Sequence, residues 1–264
     1  MLKVKHPNVA GTFYPRDPEM LKQAVRSYIQ PGKAGKETHG KLSALIVPHA
    51  GYVYSGPVAG VGYYLLSQLP QKPASVAVLA PSHFYGFGKV ATLQTDVYET
   101  PLGPLLIDKN TVQHLLDAEL VSEMPEVFEQ EHALEVQLPF IREVAPRATI
   151  IPLIVGQTRA EQVELIIDKL IKLDVFIIIS TDLSHFHLYT EACEIDHHTK
   201  ERIEALDYQS LNGNMACGFH PLAGLLKWTK ANSGKLVTLD LRNSGDTAGD
   251  KSRVVGYGSF ALYV

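Results

Sequence analysis

The chain has 264 residues, 45% of them hydrophobic and 20% charged, with a formal net charge of −4. That length carries one large α/β domain or two small ones with a substantial core, and the acidic balance removes the electrostatic case for nucleic acid, which a basic face would signal. Two cysteines, Cys193 and Cys217, are too few for a disulfide framework and fit a reducing compartment. Met1 to Val9 lacks the apolar centre of a signal peptide, and the longest apolar runs fall far short of the ~20 residues of a membrane span. The expectation is a cytoplasmic protein with no membrane partner.

In chain order, His6 to Pro15 is turn-rich, and Asp17-Pro18-Glu19 sets a helix start with Asp as cap and Pro in the first turn. Leu21, Ala24, Val25 and Ile29 supply that helix's apolar stripe. Pro31 to Lys41 reads as a surface loop. Leu42 to Val47 is the first core strand, and a helix is expected from about Ser55-Gly56-Pro57 to Leu69, its small residues allowing close packing on the sheet. Ser75 to Ala80 is the second core strand, followed by the glycine-aromatic loop Phe84 to Gly88. Lys89 to Tyr98 and Leu105 to Ile107 read as an antiparallel pair at the sheet edge. Lys109 to Ala118 and Glu131 to Val144 are helical by periodicity, the second kinked at Pro139. Ile150 to Val155 and Val175 to Ser180 are the third and fourth core strands, separated by a helix over Arg159 to Leu173. Helices over Glu191 to Leu206 and Phe219 to Lys230, a strand over Leu236 to Leu241 and a long strand over Val254 to Tyr263 complete the chain.

Three of the apolar runs deliver a histidine just past their ends: His49, His83 and His185. In open α/β sheets ligands sit beyond the carboxyl ends of the strands, so parallel strands would point these side chains at one place. Two imidazoles and a thiol, His49, His83 and Cys217, form a candidate metal set with an open position. The same residues read equally as hydrogen-bonded loop histidines and a packed cysteine. Cys217 opens a helix, where the dipole favours a thiolate. Asp182, Ser184, His185 and His187 share one loop, which fits either a general acid/base histidine beside a carboxylate or polar groups that cap the backbone. A serine nucleophile at Ser55 or Ser184 lacks the Gly-x-Ser-x-Gly elbow. His132 and Glu135 lie about one turn apart at an expected helix start, and Asn243 to Asp250, including Asp246, is a glycine-acid loop that fits either a rim or an ordinary connection. His197-His198 reads as solvent-facing, and Cys193 as packing.

The blocks Val9-Ala10-Gly11-Thr12-Phe13-Tyr14-Pro15, Pro48 to Gly56, Pro81-Ser82-His83, Glu131-His132-x-x-Glu135-x-Gln137-Leu138-Pro139, Ser180 to His185 and Cys217-Gly218-x-His220-Pro221 together resemble the Memo family, nearly end to end. The resemblance implies a single α/β domain with a mostly parallel or mixed central sheet, similar to the class III extradiol ring-cleaving dioxygenases, which are non-haem iron enzymes. Position by position it implies His49, His83 and Cys217 as metal ligands, with cysteine where the dioxygenases carry glutamate, and His185 with Asp182 as the catalytic acid/base pair. Tyr52, Tyr54, Phe84, Tyr85, His132, Glu135 and Asp246 are the expected substrate contacts. Fe(II) is the implied metal, with copper or zinc as alternatives, and the substrate a small aromatic or other oxidisable molecule. The rival implication is an adaptor that takes a peptide or protein in the same cleft. Related prokaryotic systems point to a radical-SAM protein and a small partner domain as partners.

Overall fold

The computed structural model describes residues 2–32 and 40–264, so most of the expected surface loop over Pro31 to Lys41 lies outside the described residues. The first elements are β1 (Val4–Lys5) and α1 (Pro18–Tyr28), the helix capped by the Asp17 carboxylate, which accepts from the Met20 amide. Then come β2 (Leu42–Val47), α2 (Tyr52–Gln68), β3 (Ser75–Pro81), β4 (Val90–Thr92), β5 (Val97–Tyr98) and β6 (Leu105–Leu106). They are followed by α3 (Lys109–Asp117), β7 (Ser122–Glu123), α4 (Leu138–Val144), β8 (Thr149–Val155), α5 (Ala160–Lys172) and β9 (Phe176–Ser180). The last part holds β10 (His185–His187), α6 (Tyr189–Glu204), α7 (Phe219–Ala231), β11 (Lys235–Asn243), α8 (Ser244–Thr247) and β12 (Val254–Tyr263).

A nine-stranded mixed sheet runs β10-β12-β2-β9-β3-β8-β4-β7, with β11 paired to β12. Its centre, β2-β9-β3-β8, is parallel throughout. Those strands are Val/Ile/Leu-rich and buried almost end to end, as strands covered on both faces must be. Helices on both sides complete the α/β domain expected from the sequence. The close approach of α2 depends on small residues. A Cβ at Gly62 would come within 2.8 Å of Val47 in the sheet, and one at Gly60 within 2.1 Å of the Tyr28 carbonyl in α1.

Four expectations differ from what is seen. α2 begins at Tyr52, three residues before Ser55-Gly56-Pro57, because Gly51 caps the helix and Pro57 is carried inside it. The segment Lys89 to Tyr98 is not one strand: β4 joins the main sheet while β5 joins a separate three-stranded sheet with β1 and β6. The antiparallel β5–β6 pair therefore exists, but in that small sheet. Glu131 to Val144 is not one kinked helix. The Glu131 carboxylate folds back on the His132 and Ala133 amides, a short 3-10 turn follows, and Pro139 sits in the first turn of α4, where its missing N–H costs nothing.

Candidate metal centre

The strand order β2-β9-β3 puts the ends of three neighbouring strands side by side, and each hands a polar segment to the same edge of the sheet. His49 follows β2 by two residues and is buried. Its ring is oriented by a network that also decides its tautomer. The Ser180 hydroxyl, at the end of β9, gives its only proton to the Ala133 carbonyl at 2.6 Å. It therefore accepts from Gln137 Nε2 at 2.8 Å and from His49 Nδ1 at 3.0 Å. Gln137 is itself fixed, since its Nε2 also donates to the Pro48 carbonyl and its Oε1 accepts from Tyr63. His49 thus carries its proton on Nδ1 and keeps the Nε2 lone pair free.

His83, after β3, is set in the same way by a carboxylate. Glu131 is almost fully buried and accepts the His83 amide at 2.7 Å and His83 Nδ1 at 2.9 Å, besides the amides of His132 and Ala133. Donating Nδ1–H to a carboxylate leaves Nε2 as the free donor atom and raises its basicity, an arrangement typical of metal-bound histidine. His132 completes the group: its ring stacks on His83 at a 4.8 Å centroid distance and against Phe13 at 4.4 Å. One ligand atom from each of His49, His83 and His132 lies within 4.8 Å of the others.

The electrostatics keep these donors available. Burial, reinforced by the neighbouring His83, holds His49 well below the usual imidazole range. Burial and the His49 ring push His132 down to about 4. Burial would also lower His83, but the Glu131 hydrogen bond and charge outweigh it and raise the group. Burial opposes ionisation of Glu131 as well, yet its bonds from His83 and the backbone bring it to about 2. Two neutral imidazoles, a third backed by a carboxylate and a nearby thiol suit a borderline transition-metal ion.

Cys217 stands beside this group rather than among the three imidazoles. Its Sγ is 3.2 Å from His49 Nε2 and accepts the Asp182 amide at 3.3 Å. Gly218 makes this possible, because a Cβ there would lie 2.7 Å from Thr181 Cβ and 2.8 Å from the Ser180 carbonyl. The thiolate expected from the helix start is not what the surroundings favour. Burial, and then the Asp182 charge, push the thiol up to about 12, outweighing hydrogen bonds from the Asp182 and Gly218 amides. The S–H instead faces the free His49 Nε2, so an ion bound there must displace that proton.

Beyond the imidazoles a cleft of about 560 Å³ opens, with Ala50, His132 and Asp182 at its buried end and His185, Phe186 and Arg253 toward solvent. Asp182 accepts the His49 amide at 2.7 Å and the Ala50 amide at 3.3 Å, and burial raises its carboxyl. It does not orient His185, as the shared loop suggested. That ring donates Nδ1–H to the Leu183 carbonyl at 2.8 Å, leaving Nε2 as an acceptor.

The expected substrate contacts divide. Tyr54 and His132 line the cleft, and the exposed Phe84 stands edge-on to His132 at 6.4 Å. Tyr85 is half-exposed on the same loop, outside the cleft lining. Three assignments are corrected. Tyr52 is buried, with its hydroxyl given to the Val136 carbonyl at 2.6 Å. Glu135 is fully buried, and both its oxygens are used by the Asn8 and Val9 amides and the Tyr14 hydroxyl, so it pins the N-terminal segment. Asp246 closes the capping box of α8 and accepts from Tyr189. Sequence reasoning missed Glu131, read only as a helix-start acid, and the cleft residues Phe13, Phe186, Arg253 and Tyr257. Phe13 lies inside a recognised motif, as does Tyr257 in the family-like block Val254-Val255-Gly256-Tyr257, whereas Arg253 carries no local signal.

Comparison with known proteins agrees with this architecture. The profile of the Memo-like protein family matches residues 5–261. A MEMO1 family protein of Sulfurisphaera tokodaii is 34% identical over 96% of this chain and 97% of its own length. One from Desulfurococcus amylolyticus is 31% identical over the full length of both. Among solved structures, an uncharacterized protein of Escherichia coli K12 shares the fold with a TM-score of 0.54 and 12% identity, over 82% of this chain and 99% of that one.

Proposed function

The chain belongs to the Memo family, and on that premise we propose that it is a metal-dependent oxidoreductase that oxidises a small aromatic diol or a related molecule with dioxygen. The observation that carries the reading is the pair His49 and His83, whose Nδ1 protons are locked by Ser180 and Glu131 so that both Nε2 lone pairs are free beside a cleft containing a further imidazole, His185. His49 and His83 would hold the metal, with Cys217 as third donor on losing its proton and His132 within reach of the same place. Fe(II) suits the redox role, and copper or zinc suits the same donors. A redox-active ion held there supplies Lewis-acid binding of a phenolic oxygen and electron transfer to dioxygen.

The protein's own groups do the rest. His185 Nε2 takes the proton of the substrate hydroxyl and returns it to the product, while the Leu183 carbonyl keeps the ring in the tautomer that can do so. Asp182, immobilised by two backbone amides, stabilises the imidazolium that forms. Phe13, Tyr54 and Tyr257 wall the cleft. The test is oxygen uptake by protein loaded with Fe(II) without air and then supplied with catechols. Uptake that depends on both metal and catechol supports the reading; none with any metal sinks it. A second reading has its own observation, the exposed aromatic side chains Tyr54 and Phe186 in the cleft lining, with exposed Phe84 edge-on to His132. In that reading the cleft takes a peptide or protein partner, and the loaded protein consumes no oxygen.

A further inference from the structure

The mouth of the cleft carries two residues that the proposed chemistry leaves unused. Phe186 is 60% exposed, although it lies between the two paired residues of a strand. Its backbone is left-handed, with φ 63°, a conformation that a bulky side chain rarely adopts. The pairing of β10 with β12 shifts register between His185 and His187 at this position. A bulge of this kind re-aims side chains and recurs beside active sites. Here both His185 and Phe186 line the cleft, where regular alternation would send successive side chains to opposite faces.

Arg253 approaches from the segment before β12, and its guanidinium lies over the Phe186 ring, 5.1 Å from the centroid. It lines the cleft and forms no ion pair among the described residues. Its neighbours are otherwise engaged. Asp250, also in the lining, accepts the Ser252 amide at 2.8 Å, and Lys251 lies over the Tyr189 ring at 4.2 Å. Along the cleft, the His132 imidazole and the Asp182 carboxylate stand at the buried end, with aromatic side chains between them and the Arg253 guanidinium, which has no ion pair among the described residues, on the solvent side.

We infer that Phe186 and Arg253 select the substrate, and that it is a planar aromatic diol carrying a carboxylate on the side away from its hydroxyls. The inference rests on the aromatic-diol reading of the site. The hydroxyls enter first, toward His49, His83 and His185; the ring passes Tyr54 and Phe186; the carboxylate stays at the mouth and pairs with Arg253. A guanidinium already stacked on a ring has its planar fork pre-set for a carboxylate. The strained backbone at Phe186 holds that ring under the guanidinium.

The test compares catechol with 3,4-dihydroxybenzoate, titrated calorimetrically into the full chain loaded with Zn(II), so that binding is read without turnover. The wild type is expected to bind the carboxylate about tenfold or more tightly than catechol, in keeping with a charge-assisted pair at a partly exposed site. Arg253→Gln should bring that ratio close to one. Phe186→Gly, which suits the left-handed backbone, should keep the zinc, weaken both ligands and narrow the ratio between them, because the guanidinium loses the ring it stacks on; a ratio unchanged in this variant overturns the part given to Phe186. Equal affinities in the wild type, or a ratio that survives Arg253→Gln, overturns the selection by Arg253. Failure of both compounds to bind overturns the aromatic-diol reading itself and the inference with it.

Discussion

Replacing Glu131 with glutamine separates a carboxylate that serves the metal centre from one that serves the fold. Glu131 accepts four N–H groups at 2.7–2.9 Å from inside the protein: the His83 amide and Nδ1, and the His132 and Ala133 amides. A glutamine in the same place keeps one acceptor oxygen and turns an NH₂ toward a donor, leaving at least one buried N–H unsatisfied, at about 1–3 kcal/mol. The lost charge weakens the remaining bonds as well, so the metal-free protein should lose roughly 2–4 kcal/mol in urea unfolding. His83 also loses the carboxylate that raises its basicity and fixes its tautomer, an effect of about 10–100-fold on metal affinity. Glu135→Gln is the control. It is as deeply buried and as fully bonded, but to Asn8, Val9 and Tyr14, so it should cost comparable stability and leave metal affinity within about threefold. Competition with a chromophoric chelator in the absence of air reads the affinities. The reasoning fails if Glu131→Gln binds metal like the wild type, or if Glu135→Gln loses as much.

His185→Ala should keep the metal content and reduce turnover by about 10²–10⁴-fold, the usual share of a positioned acid/base; metal analysis beside oxygen uptake checks both halves, and loss of metal would make His185 a ligand. Cys217 holds its proton toward His49, so metal uptake at neutral pH should release about one more proton per ion in the wild type than in Cys217→Ser, read from calorimetry in buffers of different ionisation enthalpy. Asp196 supplies a pH test away from the donors. Burial raises its carboxyl from the ordinary 3.8 to about 6, while it accepts the Ser184 amide at 3.0 Å. Folded protein therefore holds this proton more tightly than unfolded chain, and the stabilisation present below pH ~4 is lost as pH rises through ~6, by about 3 kcal/mol. Asp196→Asn keeps an acceptor for Ser184 and has no proton to lose. Its stability relative to the wild type should improve by about that amount between pH 4 and 7 in urea titrations.

The central strands were legible because a strand covered on both faces needs an unbroken apolar run, and Leu42 to Val47 and Val254 to Tyr263 match the observed strands residue for residue. The meeting of His49 and His83 was legible for a related reason, since parallel neighbours must end on the same edge, whereas the third imidazole of that group is His132 and His185 lines the adjoining cleft. Local pattern failed where long-range polar contacts decide. Glu131 to Leu134 has helical periodicity, but a buried carboxylate folding onto its own amides and reaching His83 makes it a loop. Glu135 sits one turn beyond His132 yet serves a segment more than a hundred residues away. Cys217 has the helix start that should ionise a thiol, and the outcome reverses because burial and Asp182, neither visible in local sequence, oppose it. Arg253 and Phe186 meet only through the pairing of β10 with β12, which the sequence pattern did not indicate.

The most direct test of the account is a crystal of protein grown with iron in the absence of air, with anomalous diffraction recorded at the iron edge. A metal centre built on β2 and β3 predicts one peak per chain within about 2.0–2.2 Å of both His49 Nε2 and His83 Nε2, and about 2.3 Å from Cys217 Sγ. A peak bound elsewhere, or none at full iron occupancy of the solution, would contradict it.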